Sequence, residues 1–146
     1  MQEGSASRPM TKVFLILSIA LFGAMGALAR VYLGGFVQGF MPEETSVKFP
    51  LGTLTVNVLG CLIFGCLGYL GHHHGLIPQE WRTILLSGLL GSFTTFSTFG
   101  FETVLLYENA PHGKIYFAAA NILLNVTLGI AAILTGMQIG RLFVSN

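Results

Sequence analysis

The chain has 146 residues, 53% of them hydrophobic and 9% charged, with a formal net charge of +1; soluble domains carry about 25% charged residues, so this composition specifies an integral membrane protein. Near-neutral charge excludes an electrostatic nucleic-acid binder, because there is no basic surplus to neutralise phosphates. Aspartate is absent, which disfavours paired-carboxylate catalysis and cages for hard divalent cations.

Residues 1–11 are polar and read as a disordered tail ahead of a single domain over 12–146. The apolar stretch after Lys12 is longer than the core of a signal peptide and runs on into a glycine-bearing helix face, so it reads as a span. Four hydrophobic spans are expected, each at or above the roughly 20 residues that a bilayer requires: Val13 to Phe36, Leu51 to Leu70, Trp81 to Tyr107 and Ile115 to Phe143. Loops carry the turn and charge signals between them: Gln38 to Pro50, Gly71 to Glu80 and Glu108 to Lys114. The predicted class is all-α, multi-pass and membrane-embedded.

In the first span, Gly23 and Ala27 lie four apart, a spacing that lets helices approach closely. Arg30 falls late in the span, where a charge either serves function or snorkels to the interface. The second span puts Thr53, Asn57, Gly60 and Phe64 on one face. A carboxamide at this depth is either interhelical glue or a donor aimed at an anion. Cys61 and Cys66 share this helix with diverging side chains, which argues against an intrachain disulfide. His72, His73 and His74 are consecutive and cannot converge on a metal as residues one helical turn apart would.

The third span holds the most unusual run, Thr94-Thr95-Phe96-Ser97-Thr98-Phe99, which follows Gly88-Leu89-Leu90-Gly91. Hydroxyls are costly in hydrocarbon unless they face protein or a polar path. As one helix the span would measure about 40 Å, against a hydrocarbon core of about 30 Å. A break between Gly91 and Thr95 absorbs the excess and is the preferred reading; an intact tilted helix with back-bonded hydroxyls is the other. Phe93, Phe96 and Phe99, interleaved with hydroxyls, cannot all face lipid, and the positive edge of a ring suits a small anion. Glu102 is the acidic residue inside a span. In the fourth span, Asn121, Asn125 and Gly129 are spaced by four, so two carboxamides form a polar rail one turn apart. Amide donors hold an anion without trapping it.

Charge places Arg8, Lys12, Arg82 and Arg141 on one side and Lys48 and Lys114 on the other. This weak bias leaves two readings open, one fixed orientation or insertion both ways up with antiparallel pairing. One short chain cannot cover all these polar groups, so an oligomer is expected. No nucleophile–base pair, phosphate loop or metal spacing is present, and no enzyme is expected.

With these residues assembled, the chain resembles the Fluc family of fluoride channels, also called CrcB-like proteins, over about Gly23 to Leu142. Three motifs carry the resemblance: Gly26-Ala27-Leu28-Ala29-Arg30, Gly52-Thr53-Leu54-Thr55-Val56-Asn57-Val58-Leu59-Gly60, and Gly91-Ser92-Phe93-Thr94-Thr95-Phe96-Ser97-Thr98-Phe99. The arginine is followed by Val31-Tyr32 rather than directly by tyrosine. The resemblance implies an antiparallel, dual-topology homodimer with two anion pores and a third helix broken near its middle. It also implies a structural, untransported sodium ion held by the backbone carbonyls of Gly91 and Thr94. Phe96 and Phe99 match the family's pore phenylalanines and Asn57 its pore asparagine. Ser97 and Thr98 belong to the same motif, Thr53 to the Asn57 motif, and Glu102 to an acidic position. The fourth-helix rail usually carries small hydroxyl residues in this family; Asn121 and Asn125 keep donors there but add bulk.

The function so implied is passive export of fluoride across the cytoplasmic (inner) membrane, with lipid, fluoride and a second copy as partners. A proton-coupled small multidrug transporter is the alternative. It needs a titratable carboxylate facing a central cavity, and Glu102 sits near one end of its span. A purely structural protein organised by glycine faces is the third reading, against which the density of polar groups around 94–98 weighs.

Overall fold

The computed structural model describes residues 11–41, 48–73, 75–109 and 114–144. The expected tail therefore lies outside the described residues except for Thr11, as do the middle of the first loop, His74 and much of the last loop. The described elements are all helical: α1 is Lys12–Gln38, α2 is Leu51–His73, α3 covers 79–93, α4 is Phe96–Asn109 and α5 is Lys114–Leu142. Four helical stretches, Lys12–Gln38, Leu51–His72, Gln79–Asn109 and Ile115–Leu142, are long and apolar enough to cross a membrane. The protein is a multi-pass, all-helical membrane protein.

Local chemistry explains where the helices start and stop. Thr11 has extended backbone, and its hydroxyl accepts from the Phe14 amide at 3.4 Å, capping α1. The α1–α2 connection is clasped by Gln38. Its Nε2 donates to the Phe49 carbonyl and its Oε1 accepts from the Gly52 amide, both at 3.1 Å. The second bond satisfies an amide in the first turn of α2 that no helical carbonyl can reach. At the other end, α2 runs past the expected Leu70. The Arg82 guanidinium donates to the Gly71 carbonyl at 3.1 Å, pairing one of the last-turn carbonyls that a helix leaves without an internal donor.

Within the third span, α3 has three parts. Gln79–Arg82 is regular, Thr83–Leu90 is wound in wide π-helical turns, and Gly91–Phe93 is regular again. Thr94 then leaves helical geometry at φ −84°, ψ 159°, and helix resumes at Phe96. The wide turns lie against α1: a side chain on Gly26 would meet the Leu89 carbonyl, and Gly88 lies close to Ile19.

The tightest pairing is between α2 and α5. A Cβ at Gly65 would strike the Ile133 carbonyl, and one at Gly136 would strike the Leu62 carbonyl. Backbone therefore meets backbone at both points, as small residues permit in membrane helices. Val56, Leu90 and Phe93 form the buried cluster, flanked by Leu33, Leu67 and Leu86. That cluster abuts the segment where α3 gives way to α4. Outer faces stay apolar and exposed, as Phe14, Leu17, Val31, Phe101 and Leu123 illustrate.

Candidate functional site

The site is organised by the backbone between α3 and α4. Thr94 makes the last bonds of α3, its amide and hydroxyl both reaching the Leu90 carbonyl, at 3.0 and 3.1 Å. In a continuous helix the Thr95 amide would bond the Gly91 carbonyl, and the Thr98 amide the Thr94 carbonyl. Both donors are diverted. Thr95 N–H donates to Asn57 Oδ1 at 2.9 Å, and Thr98 N–H donates to Thr95 Oγ1 at 3.2 Å. Thr95 is thus the N-cap of α4, and it is buried. The Gly91 and Thr94 carbonyls are thereby deprived of their helical donors. Carbonyl oxygens without helical donors are hard ligands, the chemistry that a small monovalent cation takes.

Asn57 holds the interruption in place from α2. Its Nδ2 donates to the Thr95 carbonyl at 3.3 Å and to Asn125 Oδ1 at 3.0 Å. Asn125 Nδ2 in turn donates to Asn121 Oδ1 at 3.0 Å and to the Asn121 carbonyl at 3.1 Å. Asn121 is fully buried, and its Nδ2 donates to Thr103 Oγ1 at 2.8 Å. Beside the Asn57–Asn125 link lies a groove of about 360 Å³, lined by Asn57, Gly60, Cys61, Phe64, Thr94, Thr95, Phe96, Phe99, Asn125, Val126 and Ile133. Gly60 is essential to its shape, because the Thr94 methyl and the Phe93 ring occupy the space that a Cβ would take.

The two rings of the groove differ in environment. Phe99 is 9% exposed and Phe96 is 83% exposed, with ring centroids 5.6 Å apart and planes tilted by 58°. Phe93 belongs to the buried cluster instead. Thr95 Oγ1 donates to Thr98 Oγ1 at 3.0 Å and lies 3.5 Å from Ser97 Oγ, so the hydroxyls form one small cluster at the start of α4.

The remaining residues singled out from the sequence lie elsewhere. Thr53 shares a helix face with Asn57, yet its hydroxyl donates to Glu102 Oε1 at 2.9 Å. Both border a second cavity of about 550 Å³ with Gln38, Lys48 and Asn109. Glu102 Oε2 is buried without a hydrogen-bond partner among the described residues. Arg30 is half-buried, and no ion pair joins it to Glu102 among the described residues. Cys61 and Cys66 are free thiols. Sequence reasoning missed Thr103 and the capping role of Thr95. The signal was there for Thr103, which continues the stripe of Phe96 and Phe99 one turn further along α4.

Comparison with known proteins gives this geometry its context. The family described as "CrcB-like protein, Camphor Resistance (CrcB)" matches residues 17–137. A protein of Geobacter metallireducens named "Fluoride-specific ion channel FluC" is 44% identical over 126 residues, covering 86% of this chain and 96% of the relative. Proteins of the same name from Methylobacillus flagellatus and Solidesulfovibrio magneticus are 36% and 42% identical, covering 89% and 85% of this chain and 97% and 94% of the relatives. On the extent and identity of these matches, the chain belongs to the CrcB-like family.

Proposed function

We infer that the protein is a fluoride channel of the cytoplasmic (inner) membrane, working as an antiparallel, dual-topology homodimer that lets fluoride leave the cell passively. The observation that carries this reading is the groove in which the Asn57 amide meets the rings of Phe96 and Phe99, in a chain whose relatives are named for fluoride conduction. Relatives so named are channels and not enzymes.

Fluoride is small and strongly hydrated, so a pore must replace its water as it is shed. The Asn57 and Asn125 amides border the groove with their N–H groups held by the Thr95 carbonyl, Asn125 Oδ1 and the Asn121 oxygens, so an anion takes a donor from them by displacing one of those acceptors. Phe96 and Phe99 supply ring edges whose partial positive charge attracts an anion without binding it tightly. Ser97, Thr98 and Thr53 add hydroxyl donors along α4 and α2, and Asn121 steadies the rail from behind. An inside-negative potential drives a monovalent anion outward by about 2.3 kcal/mol per 100 mV. Weak-acid entry of HF would load the cell, and the channel would unload it.

A second copy would cover Phe96, a ring 83% exposed beside the hydroxyls and amides of the site. The weak charge bias is compatible with inverted pairing. The Gly91 and Thr94 carbonyls are the residues that would hold a sodium ion, which supplies fixed positive charge when bound. The two arms of the third span, α3 and α4, are read as the half-helices of a broken span. Arg30 and Glu102 lie toward the ends of their spans. A multidrug-type transporter would need Glu102 at the central groove, and the carboxylate instead borders the other cavity.

Reconstitution in liposomes loaded with fluoride or chloride tests the reading. Rapid fluoride efflux at an ion electrode, without chloride efflux, is the expected result. Fluoride retention together with proton-driven exchange of a cationic dye would replace it with the transporter.

A further inference from the structure

The groove that holds Asn57 lies in mid-span. On α2 its lining ends at Phe64, about 14 Å short of the helix end at His73. An anion held there needs a way out to that face of the membrane. A further cavity, of about 220 Å³, begins where the groove stops. The two share Phe64 and Ile133, and the second carries on past Gly68, Tyr69, Met137 and His72. Both follow the seam of α2 and α5, which run side by side in the same direction, Asn57 meeting Asn125 and Gly65 meeting Ile133. Gly68 leaves the floor of the seam open, and a Cβ there would stand 3.9 Å from the Phe64 ring.

The geometry points to this seam as the anion's route from the Asn57 groove to the membrane face at which α2 ends, with Phe64 and Met137 lining it and His72 at its mouth. This rests on the fluoride-channel reading and deepens it. Phe64 is exposed and stands outside the buried cluster, so its ring is a wall of the seam rather than part of the core. It continues the aromatic lining that Phe96 and Phe99 begin. The mouth is cationic. The Arg141 guanidinium stands 5.4 Å from the centroid of the Tyr69 ring, Arg82 holds the Gly71 carbonyl, and His72 is exposed at the same end of α2. Positive charge at the rim of a low-dielectric passage raises the local concentration of anions. The cavity of Thr53 and Glu102, toward the other end of α2, shares no lining residue with the groove, so the seam is the continuous side of the site.

The test starts from full-length protein freed of its own thiols, C61A/C66A. To it M137C is added in the seam or, as a control, L123C on the exposed face of α5. Each is reconstituted and treated with the anionic thiol reagent 2-sulfonatoethyl methanethiosulfonate. Labelling is read by mass spectrometry and fluoride efflux at an ion electrode. The expected result is labelled M137C with efflux slowed at least about tenfold by repulsion from the sulfonate, and unchanged efflux in L123C. M137C that stays unlabelled, or that is labelled at an unaltered rate, overturns the inference and leaves the channel reading standing. Equal slowing in L123C overturns it as well. Should the thiol-free protein not be recovered as a conducting, monodisperse species, H72E and H72K in the unaltered background take its place, since His72 is exposed. Efflux in H72E about threefold or more below H72K at about 0.1 M salt, with the gap closing at about 1 M, supports the route. Equal rates in the two overturn it. Failure of the unaltered protein to pass fluoride overturns the route and the channel reading together.

Discussion

Replacing Asn57 by aspartate changes one NH₂ for one oxygen and nothing in volume. The Thr95 amide keeps an acceptor, so the cap of α4 survives. Two donor bonds are lost, to the Thr95 carbonyl and to Asn125 Oδ1, and in their place an oxygen faces oxygens at about the same separations. At about 1.4 kcal/mol each, the lost bonds lower the stability of this junction by roughly 3 kcal/mol. An ionised carboxylate also repels the permeating anion, by about 4 kcal/mol at 4 Å in a medium of effective dielectric constant 20, enough for two to three orders of magnitude in flux. Fluoride efflux from liposomes is therefore expected to fall at least about a hundredfold in N57D, with the protein still eluting as the unaltered oligomer on size exclusion. Efflux within about threefold of the unaltered rate in such protein would refute the assignment of Asn57 as a donor to the anion.

Other expectations follow from the same geometry. Phe96→Ile removes a ring that is 83% exposed and meets only the edge of the site at Phe99, so fluoride efflux should fall about tenfold or more while the melting temperature changes little. Gly60→Val drives a side chain into the Thr94 methyl and the Phe93 ring and should lower stability by about 1–3 kcal/mol, read as a loss of monodisperse protein or a lower melting temperature in detergent. Replacing sodium throughout purification by a bulky organic cation should lower the melting temperature if the Gly91 and Thr94 carbonyls hold an ion; an unchanged melt would speak against that role.

The spans were legible because apolar length is a property of composition, and their ends fell within a few residues of those expected. The α2 helix starts at the expected Leu51, where Gln38 meets the Gly52 amide, and runs past Leu70, where Arg82 meets the Gly71 carbonyl. The polar partners were not legible. Thr53 and Asn57 stand one turn apart on one face, so periodicity gives them a single fate. The structure sends one to Glu102 on α4 and the other to the backbone of Thr95. Asn121 and Asn125 likewise look equivalent, yet Asn125 borders the groove and Asn121 is buried behind it. The wide turns of Thr83–Leu90 left no trace in hydropathy, because they belong to the fit of the chain against Gly26 of α1 rather than to the residues wound in them.

The backbone contacts of Gly65 with Ile133 and of Gly136 with Leu62 bear on how fast the molecule can work. Helices in contact through carbonyls have no side-chain cushion, and sliding one along the other would force oxygen into carbon within a fraction of a turn. The two asparagines that meet across this pair, Asn57 and Asn125, are therefore carried on a single stiff strut. Reorganisation at their junction is left to rotation about side-chain bonds, which takes place in picoseconds to nanoseconds, whereas the rocking of helix bundles takes microseconds to milliseconds. In a channel built this way, traffic past that junction would have no slow mechanical cycle to wait for, and its ceiling would be set by how quickly an ion sheds and regains its water.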